Sequence, residues 1–96
     1  MLILVSYDVA TENYEGERRL RHVAQTCLNF GQRVQYSVFE CEVEKKQYVQ
    51  LKKQLKSIMN PDEDSIRFYR IHEPTEQYID HLGIKEPDDF DDPMIV

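Results

Sequence analysis

The first apolar run of the chain, LILVSYDV, ends in a carboxylate, Asp8, and that carboxylate is the leading candidate for chemistry. An aspartate in this place has two readings. It closes a strand as a turn residue or caps the next helix, or it ligates a hard cation. Mg²⁺ keeps several waters and takes only one or two protein carboxylates beside substrate phosphate oxygens. One Asp per chain is half of such a site. A two-fold dimer supplies the other half, because an isologous interface brings Asp8 next to its symmetry mate. Two carboxylates facing one crevice would hold Mg²⁺ or Mn²⁺, polarise a phosphodiester and activate a water.

The second group with chemical potential is basic. Arg18, Arg19 and Arg21 lie together, and Arg33 follows at the start of the next strand. Taken singly, each is a solvated side chain, partly paired with Glu15 or Glu17. Taken together they form a phosphate-contacting surface, since Arg offers bidentate contacts to phosphate oxygens. His22, His72 and His81 have no metal-ligand spacing. Cys27 and Cys41 read as free, buried thiols with no nucleophilic partner nearby. There is no glycine-rich phosphate loop. Tyr36, Tyr48 and Phe68 fall on apolar faces and read as core, not as base-stacking platforms.

The elements that position these groups follow from hydrophobic periodicity. Residues 2–9 form a strand apolar on both faces at its start, so it is central and covered on both sides, one side by helices and the other by a second subunit. The spacing predicts a helix over 15–30, with Leu20, Val23, Ala24, Cys27 and Leu28 as its stripe and Gly31 as its terminator. Residues 32–43 are strand, but the alternation slips phase at Val38-Phe39. The segment lacks Gly, Pro, Asn and Asp, so nothing marks where it reverses. A second helix covers 45–59, with Lys46, Lys53 and Lys56 facing away from its apolar stripe. Residues 65–71 form another strand, 77–84 a short one, and 85–96 an acidic tail ending in Met94, Ile95 and Val96. The order is that of a single α/β (α+β) domain over residues 1–96, a ferredoxin-like βαββαβ sandwich with its helices on one sheet face.

Charge and composition narrow the functions. The 96 residues carry a net charge of -6, with nine Lys/Arg against seven Asp/Glu in residues 1–60 and three against eleven in 61–96. A local basic face in the first part still binds phosphate, because the Debye length is about 8 Å at physiological salt. No membrane span or signal peptide is visible, and free cysteines suit a reducing compartment, so the expected location is cytoplasmic.

"LVSYDV", then a basic helix, then "RVQYSVFEC" resembles the CRISPR-associated protein two family, and the resemblance covers nearly the whole chain. "DHLG" near residue 80 and the terminal "DDPMIV" look like members that accompany compact type I systems. The resemblance implies a homodimer formed through the sheets, with the C-terminal strand of each chain exchanged onto its partner. It implies that Asp8 is the divalent-metal ligand and catalytic residue, one from each protomer. It also implies metal-dependent cleavage of RNA or double-stranded DNA, and a dimer that bridges the CRISPR integrase and holds prespacer DNA during spacer acquisition. Matched by position, Arg18, Arg19 and Arg33 lie near nucleic acid, with Tyr7, Ser37 and Phe39 added by proximity. Two other functions compete: a DNA-binding scaffold without physiological nuclease activity, and an unrelated ferredoxin-like module for a small regulatory ligand.

Overall fold

A computed structural model describes residues 1–84. Four strands and two long helices follow in the order β1 (Leu2–Asp8), α1 (Tyr14–Leu28), β2 (Gln32–Gln35), β3 (Val38–Glu42), α2 (Lys45–Ile58) and β4 (Ser65–Ile71). The sheet is antiparallel throughout, with strand order β2-β3-β1-β4. Both helices pack on one face, which is the ferredoxin-like arrangement expected from the element order. The tail over 85–96, and with it the expected exchange of a C-terminal strand, lies outside the described residues.

β1 reads as it does because it is central. Ile3, Val5, Tyr7 and Val9 alternate toward the helices and are buried, meeting Val23, Ala24 and Cys27 of α1 and Leu51 and Leu55 of α2 in one core. Leu2, Leu4, Ser6 and Asp8 face the other way. On that second face they are joined by Val38, Glu40 and Glu42 of β3 and by Ser65, Arg67, Tyr69 and Ile71 of β4. On this face Leu2 is buried, Leu4, Ser6, Val38, Glu40 and Ile71 are half-buried, and Asp8, Glu42, Arg67 and Tyr69 are exposed. The two edges of the sheet differ: β2 has four residues and a bulge, whereas β4 has seven regularly paired residues.

The reversal that lacked a sequence signal is a two-residue turn, Tyr36-Ser37. It uses no residue with positive φ, so it does not need the Asn or Gly of the tightest hairpins. The two-residue turn, pairing Gln35 with Val38, itself produces the slipped alternation, and the bulge between Arg33 and Gln35 brings Arg33 and not Val34 opposite Phe39. Tyr36, expected in the core, is 61% exposed at this turn. The strand expected over 77–84 is absent; after Pro74 the chain makes a 3₁₀ turn, Thr75–Gln77, and then runs exposed through Leu82 and Ile84.

Two glycines are required by proximity. A Cβ on Gly16 would run into the carbonyl oxygen of Ala10, so the first turn of α1 lies directly on the chain leaving β1. Gly31 stops α1 for a different reason from the one its position suggests. Its φ is not positive, and a Cβ there would collide with Glu40 and Cys41 of β3. Gly16→Ala should therefore destabilise the fold by about 1–3 kcal/mol, as overpacking does. A thermal melt of the variant should show a Tm at least about 4 °C lower for a domain of this size.

Candidate metal and nucleic-acid site

Asp8 ends β1 opposite Ser65 of β4, and its side chain is exposed. It does not cap α1; Asn13 does, accepting from the backbone N–H of Gly16 at 2.8 Å. Among the described residues Asp8 has no hydrogen bond or ion pair, so folding leaves its oxygens available. The backbone on either side is fixed. Tyr7 and Val9 point into the core, the N–H of Tyr7 donates to the carbonyl of Ser37 at 3.1 Å, and the N–H of Ala10 donates to Asp64 at 3.1 Å. The turn of the β2–β3 hairpin and the start of β4 thus flank the same carboxylate.

Asp64 is the residue that holds this end of the molecule together. Its side chain is fully buried, and it accepts from Arg19 Nε at 2.8 Å, from the backbone N–H of Asn60 at 2.9 Å and from Ala10. Burial works against its charge. The hydrogen bond from Arg19 and the two backbone donors outweigh that penalty and hold the carboxyl below the usual carboxylate range. Arg19 also reaches Glu63 at 3.2 Å. One carboxylate therefore ties the loop after β1, α1, the end of α2 and the start of β4. Within its local sequence, NPDEDS, nothing separates Asp64 from Asp62 and Glu63; only its place immediately before a strand hints at a role.

The structure sorts the sequence-derived nucleic-acid residues. Arg18 is exposed on α1, next to the anchored Arg19 and hence at the Asp8 end of the domain. Arg19 is committed to Asp64 and Glu63. Arg33 is 5% exposed; the register Arg33↔Phe39 places it on the helix-facing side, with its guanidinium 5.0 Å from the Phe39 ring centre. Phe39 is fully buried and Tyr7 nearly so, their rings stacked 6.1 Å apart. Burial pushes the Tyr7 hydroxyl up, against the opposing hydrogen bond from Arg33. Surface contact through Arg33, Phe39 and Tyr7 is therefore corrected to a supporting role: they pack the strand end that carries Asp8. Ser37 sits half-buried in the turn.

Arg67 is not singled out by the sequence. It pairs with Ser6 on β1 and shares a sheet face with Asp8, two register positions away, its guanidinium 5.2 Å from the Tyr69 ring centre. Alternation in SIRFYRI gives its parity, but only the β1–β4 register brings it to Asp8. Among the sheet's paired residues on this face it is the one cation.

The chemistry of this donor set suits a hard cation. Asp8 is an accessible, unengaged carboxylate, and among the described residues no three His, Cys, Asp or Glu side chains converge. One chain thus offers a partial coordination shell of the kind Mg²⁺ accepts.

The family model described as CRISPR associated protein Cas2 matches residues 1–79. Two relatives, the CRISPR-associated endoribonuclease Cas2 1 of Moorella thermoacetica and the CRISPR-associated endoribonuclease Cas2 of Chlorobaculum tepidum, are each 49% identical over 96 residues and cover 100% of both chains. The CRISPR-associated endonuclease Cas2 of Halalkalibacterium halodurans is 45% identical over 95 residues, 99% of either chain. The crystal structure of Streptococcus pyogenes Cas2 superposes with a TM-score of 0.78 at 47% identity, covering 86% of this chain and 100% of that one. With a matching fold, a matching length and this level of identity, the chain belongs to the CRISPR-associated protein Cas2 family. No helix of the described residues is long and apolar enough to cross a membrane.

Asp64→Asn keeps one acceptor oxygen but turns the other into an NH₂ donor facing the Arg19 and backbone donors, and it deprives Arg19 of its buried counter-charge. Asp64→Asn should cost about 2–3 kcal/mol, in the range of hydrogen bonds to charged groups, read by urea unfolding at pH 7. The lowered pKa fixes the pH dependence. The carboxylate's contribution is complete above the unfolded value of about 3.9 and is lost as pH falls through the lower folded value. The gap between wild type and Asp64→Asn should therefore be constant from pH 7 to about pH 5 and narrow below pH 4.

Proposed function

We propose that this chain is a metal-dependent nuclease of CRISPR adaptation, acting as a homodimer whose two Asp8 carboxylates share one crevice. The observation that carries the reading is an exposed, unengaged carboxylate on a strand end fixed by three neighbouring segments. The sheet face turned away from the helices, with the half-buried Leu4, Val38 and Ile71 and the exposed Tyr69 among its polar residues, supports a second subunit as its cover.

Asp8 from each protomer would hold Mg²⁺ or Mn²⁺. A divalent cation bound there supplies charge neutralisation at the scissile phosphate and makes the attacking water more acidic. The chain's own residues do the positioning. Arg67 accepts the approach of a phosphate on the same face and orients it by its planar donor fork. Arg18 contacts the neighbouring backbone, while the Asp64–Arg19 pair keeps the loop after Asp8 from shifting. The relatives' names specify an endoribonuclease in two cases and an endonuclease in the third, so RNA and double-stranded DNA are both substrates to assay. In spacer acquisition the dimer would bridge the CRISPR integrase and hold prespacer DNA in the cytoplasm. The thin ligand set of a single chain favours a second reading, a DNA-positioning scaffold whose physiological task does not use cleavage.

Asp8→Asn should reduce Mg²⁺- or Mn²⁺-dependent cleavage of RNA and of duplex DNA at least about a hundredfold, since removing one well-placed electrostatic group typically costs that much. Its Tm and its sedimentation as a dimer should match wild type. A purified Asp8→Asn protein that cuts at the wild-type rate overturns the nuclease reading. Spacer acquisition that survives Asp8→Asn in cells selects the scaffold.

A further inference from the structure

α2 has a charge pattern that neither folding nor the Asp8 site uses. Of the six lysines in the chain, five are on this helix: Lys45, Lys46, Lys52, Lys53 and Lys56. The helix sequence, KKQYVQLKKQLKSI, contains no acidic residue, in a chain whose net charge is -6. All five lysines are exposed, and among the described residues none is in an ion pair.

The helical repeat gathers them on one side. At about 100° per residue, the five fall within an arc of about 120°, and Gln47, Gln50, Gln54 and Ser57 occupy the adjoining sector. Their rows run about 16 Å along the axis from Lys45 to Lys56. Lys52 and Lys56 border a cleft with Leu55, Met59, Ile66 and Phe68, so the stripe lies toward β4. There the exposed Arg70, which pairs with the inward-facing Ile3, adds a further cation on the helix side of the sheet.

This arrangement costs the isolated domain stability. Like charges at i,i+3 and i,i+4, as in Lys53–Lys56 and Lys52–Lys56, repel, and Lys45 and Lys46 sit in a first turn where the helix dipole disfavours cations. A solvated surface helix ordinarily interleaves Glu with Lys and avoids both penalties. Lys52 lies 4.3 Å from the centre of the half-buried Tyr48 ring and glutamines flank the row, but five flexible, strongly hydrated point charges in a linear array suit above all a repeating polyanion bound through its phosphates.

We propose that the lysine stripe of α2 is a rail for the phosphate backbone of duplex nucleic acid, on the layer opposite the sheet face that carries Asp8. It rests on nucleic acid being what this protein binds, but not on any role of Asp8. The two faces then have separate tasks: one holds duplex, the other presents the carboxylate.

The test is equilibrium binding of the full chain to two mixed-sequence duplexes of unrelated sequence, in EDTA so that nothing is cut, across a salt series. Lys46→Gln, Lys53→Gln and Lys56→Gln are combined in one variant. Each phosphate contact contributes about 0.9 to the slope of log K against log salt, so the slope should become shallower by about 2–3. Affinity at about 0.1 M salt should fall by about tenfold to several-hundredfold, equally on both duplexes. Tm should not fall. An unchanged slope, or a loss confined to one sequence, overturns the rail and leaves the cleavage reading standing. So does a synthetic peptide of residues 85–96, rich in Asp, whose binding depends on these lysines while the duplex's does not.

Discussion

A single buried carboxylate governs the geometry of the Asp8 end. Asp64 has its side chain removed from water and receives hydrogen bonds from three different segments while itself starting a fourth. A buried charge is tolerated only when it is so satisfied, and the same low dielectric that makes an unpaired carboxylate costly strengthens these bonds. Because Ala10 and Arg19 both converge on Asp64, the chain leaving β1 cannot move without disturbing α1 and the start of β4. Gly16 reinforces this by letting the helix lie against Ala10. The position of Asp8, two residues before Ala10, is a consequence of that knot more than of anything Asp8 does itself.

The division between supporting and exposed residues follows from the same logic. Arg33, Tyr7 and Phe39 form a stacked, hydrogen-bonded group beneath the strand end. Their types suggest recognition of a base or phosphate, yet the bulge in β2 turns Arg33 inward. Arg67, with an unremarkable sequence context, is instead exposed on the face turned away from the helices. Residue chemistry names the candidates, and strand parity decides which of them meets solvent.

Much of the architecture is legible in the sequence for physical reasons. The alternation of β1 and β4 and the stripes of both helices follow from burial, which acts on every turn and every second residue, so element order and β4's bounds come out directly; Leu28, expected in the α1 stripe, is instead exposed at the helix's last turn. The reversal at Tyr36-Ser37 does not, because a turn with negative φ throughout places no demand for Gly or Asn. The segment after Pro74 contains apolar residues at strand-like spacing, but among the described residues Leu82 and Ile84 pair with no strand and stay exposed. The motifs around Asp8 make the carboxylate visible in the sequence. Asp64 and Arg67 are hidden, the first because its meaning lies in contacts 45 and 54 residues distant, the second because parity without register does not say which strand lies alongside.

The two cysteines carry a consequence for how the domain behaves in air. Cys27 on α1 and Cys41 on β3 are both without solvent exposure, and burial pushes their thiols up to about 12 and about 11. Only the thiolate attacks an oxidant or an alkylating reagent, so at neutral pH the native molecule is chemically silent toward both. Reagent uptake then counts openings of the core, and a slow labelling reaction becomes a clock for how often helix and sheet part.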